Sequence, residues 1–140
     1  MTVTITETRD IASCQAVRHV VFTVEQGVSR EDDIDGLDEV ATHLIAFESG
    51  KPVGTARLLE NGTTGKIGRL AVLIEHRGYG IGKALMVAAL ERFASRSHLT
   101  AVRLGAQTSA IGFYEALGFT PEGEEFMDAG ILHRDMVRPL

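Results

Sequence analysis

The sequence predicts an α/β layer fold built on a mixed central β-sheet, and three observations lead there. Short apolar or alternating segments are interleaved with segments of helical period, in the order strand, helix, three strands, helix, strand, helix, two strands. The apolar run Ile67-Gly68-Arg69-Leu70-Ala71-Val72-Leu73-Ile74 leads into Arg77-Gly78-Tyr79-Gly80-Ile81-Gly82 and then into the helix-forming run Lys83 to Phe93. A helix therefore separates the strand at 67–74 from the next one at 101–106, which makes that pair parallel in a mixed sheet.

Each element has a local reason. Val3 to Thr6 alternates as a first strand. From Asp10, a candidate N-cap, Ile11, Cys14, Val17, Val21 and Val24 recur at spacings of three and four, an amphipathic helix that Gly27 ends. Cys14 lies on its apolar stripe and reads as core packing. Residues 28–41 read as a loop carrying Glu31, Asp32, Asp33, Asp35, Asp38 and Glu39. Thr42 to Glu48 and Val53 to Leu59 are strands joined by a turn at Ser49-Gly50-Lys51-Pro52, and Asn61-Gly62 turns the chain toward the strand ending near Ile74. The helix after the glycine-rich turn runs to about Ser97, Ala101 to Ala106 is a strand, and Ser109 to Leu117 is a short helix stopped by Gly118. Phe119-Thr120 and Ile131 to Val137 close the sheet.

At 140 residues the chain reads as a single domain, 1–140, with 44% apolar and 24% charged residues, the make-up of an ordinary globular protein. A net charge of −5 argues against nucleic acid as a partner. No apolar run is long enough for a membrane span, and the alternating N-terminus lacks the basic flank of a signal peptide. One cysteine cannot form an internal disulfide, which fits a reducing cytoplasm. No metal is expected.

The glycine-rich turn is where chemistry concentrates. Glycines at alternate positions let the backbone bend tightly, and the amides that open the following helix have no intrahelical partners. With the helix dipole they form a phosphate cradle, and Arg77 adds a formal charge at its rim. It is not a P-loop, because Lys83 is followed by Ala84, and Gly78, Gly80 and Gly82 do not have dinucleotide-fingerprint spacing.

Arg77 to Gly82 resembles the R-G-x-G-x-G pyrophosphate loop of the GNAT acyltransferase superfamily, and Phe113-Tyr114-Glu115-Ala116-Leu117-Gly118-Phe119 resembles that family's F-Y-x-x-x-G-F segment. The likeness runs from about Val17 to Met136, and is nearest to the small bacterial ElaA/YjcF-like branch in Val21-Phe22-Thr23-Val24-Glu25-Gln26 and in Glu125 to His133. It implies the GNAT acyl-CoA N-acyltransferase fold and an acetyl-CoA-dependent N-acetyltransferase acting by direct transfer on a small-molecule amine. It also implies that Leu70, Ala71 and Val72 pair with the pantetheine arm, that Arg77, Gly78, Tyr79, Gly80, Ile81, Gly82 and Lys83 hold the pyrophosphate, and that Tyr114 protonates the leaving thiolate. A homodimer is one expected assembly. The competing class is a non-catalytic acyl-CoA-binding sensor or interaction module on the same fold.

The base is the open position. Family members often carry Glu or His on the strand before the loop, where this chain offers Lys66 and Arg69. His43, Glu25 or a water relay are the candidates, with His133 and Glu125 approaching from the last hairpin, while His19, His76 and His98 read as surface residues. The acidic loop 31–39 reads either as a solvated surface or as a lid that attracts a cationic amine. With Val53 to Leu59 it bears a faint resemblance to acyl-homoserine-lactone synthases.

Overall fold

A computed structural model describes residues 2–140. A seven-stranded sheet with the order β1-β2-β3-β4-β5-β7-β6 spans the molecule. Its strands are β1 (Val3–Thr8), β2 (Thr42–Glu48), β3 (Lys51–Asn61), β4 (Thr64–Val72), β5 (Ala101–Gln107), β6 (Thr120–Asp128) and β7 (Ile131–Pro139). All neighbours are antiparallel except β4 and β5, the pair the crossover helix makes parallel.

Helix α1 (Ile11–Arg18) is capped by Asp10, whose carboxylate accepts from the Ser13 amide, and it continues as a π-helical stretch, His19–Glu25. The expected single helix is therefore right in extent and wrong in winding. A π turn shifts the side-chain phase, so Val20 and Val24 are exposed while Val17 and Val21 pack on Ala71. The loop at 28–41 holds one short helix, α2 (Arg30–Asp33), capped by Ser29.

On the opposite face, α3 (Ile81–Ala94) packs Ile81, Leu85, Met86, Ala89 and Phe93 against Leu44, Ala56, Leu58 and Ile67. Gly65 is required there, because a Cβ would stand 2.9 Å from the Phe93 ring. The short α4 (Ile111–Glu115) follows β5 and ends ahead of Gly118, whose φ of +91° is the left-handed stop expected of glycine.

The strand that the sequence hides is β6. Only Phe119-Thr120 signals a strand, yet β6 runs to Asp128 along the sheet edge, with all but one of its residues exposed. With neither face fully covered it needs no apolar alternation, and its Pro121 and its Gly123 at φ +77° mark an edge strand with an irregular register.

Candidate active site

Strands β4 and β5 pair only at Thr64–Lys66 with Ala101–Arg103, and beyond that they splay. A β-bulge starts the divergence. Arg69 and Leu70 together oppose Ala56, and Arg69 adopts φ +50°, a left-handed conformation that costs a non-glycine residue about 1 kcal/mol. The open wedge is a cleft of about 1090 Å³, lined by β4 from Lys66 to Val72, by the start of α3, by β5, by Tyr114 and by β7.

The β4 edge facing this cleft carries free main chain. Leu73 donates its amide to Val53 O at 2.9 Å, so the period of two turns the amide of Val72 the other way, toward the wedge. Ala71 faces α1 with its side chain, while Val72 packs on the α3 side. At the top of the wedge, Gly78 and Gly80 sit at φ +82° and +81°. The first helical bond of α3 runs from Ala84 N to Gly80 O, and no side chain caps the helix. The amides of Ile81, Gly82 and Lys83 are thus unpaired within the helix, and all three residues line the cleft.

Three of the expected loop residues contribute differently from the rest. The Ile81 side chain is core, so only its amide serves the site. Tyr79 points to solvent at 65% exposure and is absent from the cleft wall. Arg77 lines the cleft, but its guanidinium is already held. Two 2.6 Å bonds go to the Glu25 carboxylate, and Nε donates to Val72 O at 2.9 Å.

That pair also ties up Glu25, whose carboxyl the Arg77 hydrogen bonds hold below the ordinary range and which does not line the cleft. His43 is removed by position. It is 3% exposed, it does not line the cleft, and its Nε2 donates to Asp38 O at 2.7 Å. Tyr114 does line the cleft, flanked edge-on by Phe113 at 5.0 Å and Phe119 at 6.2 Å. Burial pushes its phenol up to about 12, so it stays protonated at neutral pH.

The acidic loop divides: Glu31, Asp32 and Glu39 are exposed, while Asp33, Asp35 and Asp38 are paired with arginines. Asp33 and Asp38 are buried against Arg18, which is 1% exposed and bonds them at 3.0 and 2.7 Å. Arg57 joins Asp35 and Asp38, and Arg69 reaches Asp35 and the Asp33 carbonyl. The left-handed bulge residue is thus clamped by the loop, so the loop helps set the wedge. Burial works against charge at Asp38, but hydrogen bonds from Arg18 and Gln15 outweigh it and hold the carboxyl at about 2. A carboxyl depressed from an ordinary 3.8 contributes stability that is full above that value and is lost as pH falls toward about 2. The shift is worth about 2 kcal/mol. Denaturant titrations at stepped pH should show stability dropping across this acid window, and a flat profile there would contradict the network.

Residues that sequence reasoning did not single out complete the far wall. Gln26 and Gln107 bond each other at 2.9 Å, and Gly105, Phe126 and Asp135 face the wedge from β5, β6 and β7. Among the described residues no group of His, Cys, Asp and Glu could hold a metal ion, and no helix is long and apolar enough to cross a membrane.

Comparison with known proteins agrees with this architecture. Residues 13–140 match the acetyltransferase (GNAT) domain family. The chain is 39% identical to the uncharacterized N-acetyltransferase YjcF of Bacillus subtilis over 87% of each protein. It is 33% identical to ElaA of Escherichia coli over 87% of this chain and 82% of that one. The crystal structure of Escherichia coli ElaA superposes with a TM-score of 0.87 at 28% identity, over 98% of this chain and 99% of ElaA. A PaiA N-acetyltransferase from Thermoplasma acidophilum, solved in complex with coenzyme A, shares the fold at TM-score 0.78 and 17% identity, over the whole of both chains. With its splayed parallel pair, its uncapped helix start and this family match, the chain belongs to the GNAT acetyltransferase family.

Proposed function

We infer that this protein transfers an acetyl group from acetyl-CoA directly to the amine of a small-molecule acceptor. One observation carries the reading: the β4 edge left unpaired by the splay and the uncapped start of α3 line the same cleft as Tyr114. The spacing suits an extended pantetheine arm pairing with Leu70 to Val72 as an added strand, and a pyrophosphate on the amides of Ile81 to Lys83. The coenzyme A bound to PaiA, on the same fold, supports this donor.

The chemistry required of the protein is modest. The Val72 amide polarises the thioester carbonyl as negative charge develops on its oxygen. Tyr114 gives its proton to the departing thiolate. The phenol is suited to that transfer because it holds its proton until a strongly basic sulfur appears beside it.

Binding is tested first. Gly80→Asp puts a carboxylate among amides meant for phosphate, and calorimetry should show CoA affinity falling at least about tenfold, a loss of ~1.4 kcal/mol. Gly80→Ala carries the same left-handed strain without the charge, and there is open space around a Cβ at that position. It should therefore lose less affinity, and equal affinity in all three proteins would remove this site. CoA at a hundredfold excess over its dissociation constant should also stabilise the protein by ~2.7 kcal/mol, a rise in melting temperature of roughly 9 °C for a domain of this size. No shift at millimolar CoA would count against both the enzyme and a binding module.

A further inference from the structure

The transfer needs a group to take the ammonium proton, and β4 offers only cations there. The wall opposite, formed by β5, β6 and β7, is the part of the sheet where such a group can stand. Met136 is buried in the α3-side core, so the alternating residues His133 and Asp135 of β7 face the other side of the sheet. Gly105 of β5 faces the same way. A Cβ there would meet Phe126 Cζ at 3.8 Å and Asp135 Oδ1 at 3.9 Å. Neither strain nor crowding demands glycine at this position, so the missing side chain leaves a pit in the cleft wall between an aromatic ring and a carboxylate.

His133 stands at the rim of that pit, its ring stacked on Phe126 at 5.9 Å and 23°. Its Nδ1 lies 2.7 Å from Ile131 O. A carbonyl can only accept, so Nδ1 carries the proton, and the lone pair is left on Nε2, which is unpaired among the described residues. The other four histidines differ. His43 is buried outside the cleft with Nε2 on Asp38 O, His98 pairs with Glu60, His76 lies 2.6 Å from Glu48, and His19 does not line the cleft.

We propose that the acceptor is a primary alkylammonium that enters over Gly105, is held by Asp135 and Phe126, and is deprotonated by His133 Nε2. This rests on the acetyl-transfer reading of the same cleft. The charged amine suits the subsite because the Asp135 carboxylate attracts a cation, the Phe126 ring edge offers apolar contact to the alkyl chain, and the lack of a side chain at Gly105 admits a slim chain. Protons and electrons balance as follows. One proton passes from the ammonium to Nε2 and on to solvent. The freed nitrogen lone pair forms the new C–N bond to the acetyl carbon, and the C–S bond breaks with its electron pair on sulfur. The thiolate takes the Tyr114 proton, and the second proton lost by nitrogen restores the phenol. The products are an amide, CoA with a free thiol, and one proton released.

Two measurements test this. With CoA bound, imidazole 15N spectra should show His133 as the Nδ1–H tautomer. Titration with n-butylammonium chloride should shift the Gly105 and His133 amides in the wild type, and at least fivefold more weakly in Asp135→Asn. An Nε2–H tautomer, or shifts that ignore Asp135, would overturn the proposal. In turnover with the primary amines that react, His133→Gln should lower kcat by about 10²-fold while CoA affinity and the melting shift persist. Imidazole should restore part of the rate to His133→Ala, and Asp135→Asn should raise KM for the amine with kcat little changed. Unchanged kcat in His133→Gln overturns the base assignment, whereas loss of the CoA-induced melting shift in the wild type would instead fail the underlying acetyl-transfer reading.

Discussion

Replacing Tyr114 by Phe should lower turnover about 10²-fold or more while leaving CoA affinity and folding nearly unchanged. The substitution removes one oxygen and keeps the ring, and the ring is what packs: Phe113 and Phe119 meet it edge-on, and Leu117 joins it at the margin of the core. Tyr114 lines the cleft and its hydroxyl has no hydrogen-bond partner among the described residues, so removing it breaks no bond that holds the core. Steady-state rates with a reactive amine, alongside calorimetry with CoA, separate the two roles. A Phe variant with full activity would move the proton donor to a water relay.

Replacing Arg18 by Met should cost 3–5 kcal/mol, the usual scale for leaving buried charges without their partner. Asp33 and Asp38 would both lose their principal donor in a site where neither side chain is more than 7% exposed. The effect should reach the cleft as well, because Arg69 holds the bulge by bonds to this same loop. Urea unfolding should show the midpoint falling steeply, and CoA affinity, measured under folding conditions, should fall with it. Arg92→Ala breaks an ion pair with Glu7 whose side chains are 34% and 57% exposed, and it should change little. Equal midpoints for the two variants would show that the loop network does not hold the fold.

Most of the architecture was legible because its signals are local. The period of Ile11 to Val24, the alternation at 101–106, the glycines at 78, 80 and 118, and the crossover between β4 and β5 each depend on a few neighbouring residues. The hidden parts depend on distant ones. The acids at 33, 35 and 38 look solvated until Arg18, Arg57 and Arg69, up to 36 residues away in sequence, fold over them. Arg69 carries no mark of its left-handed bulge, since the conformation is imposed by the same loop. β6 escaped because an exposed edge strand needs no hydrophobic pattern. His43 and Glu25 were reasonable bases by residue type, and only packing shows one buried beneath the acidic loop and the other locked to Arg77. His133, with the same chemistry, differs in lining the cleft, where its Nε2 has no partner among the described residues.

The most direct measurement follows acetyl-CoA, labelled in its acetyl group, with a panel of primary amines, reading free thiol and labelled amide together. Acetyl transfer in this cleft predicts the two in equal amounts, with both suppressed in Tyr114→Phe and in Gly80→Asp. Tight CoA binding with no amide from any amine would contradict it and leave an acyl-CoA-binding module on the same fold.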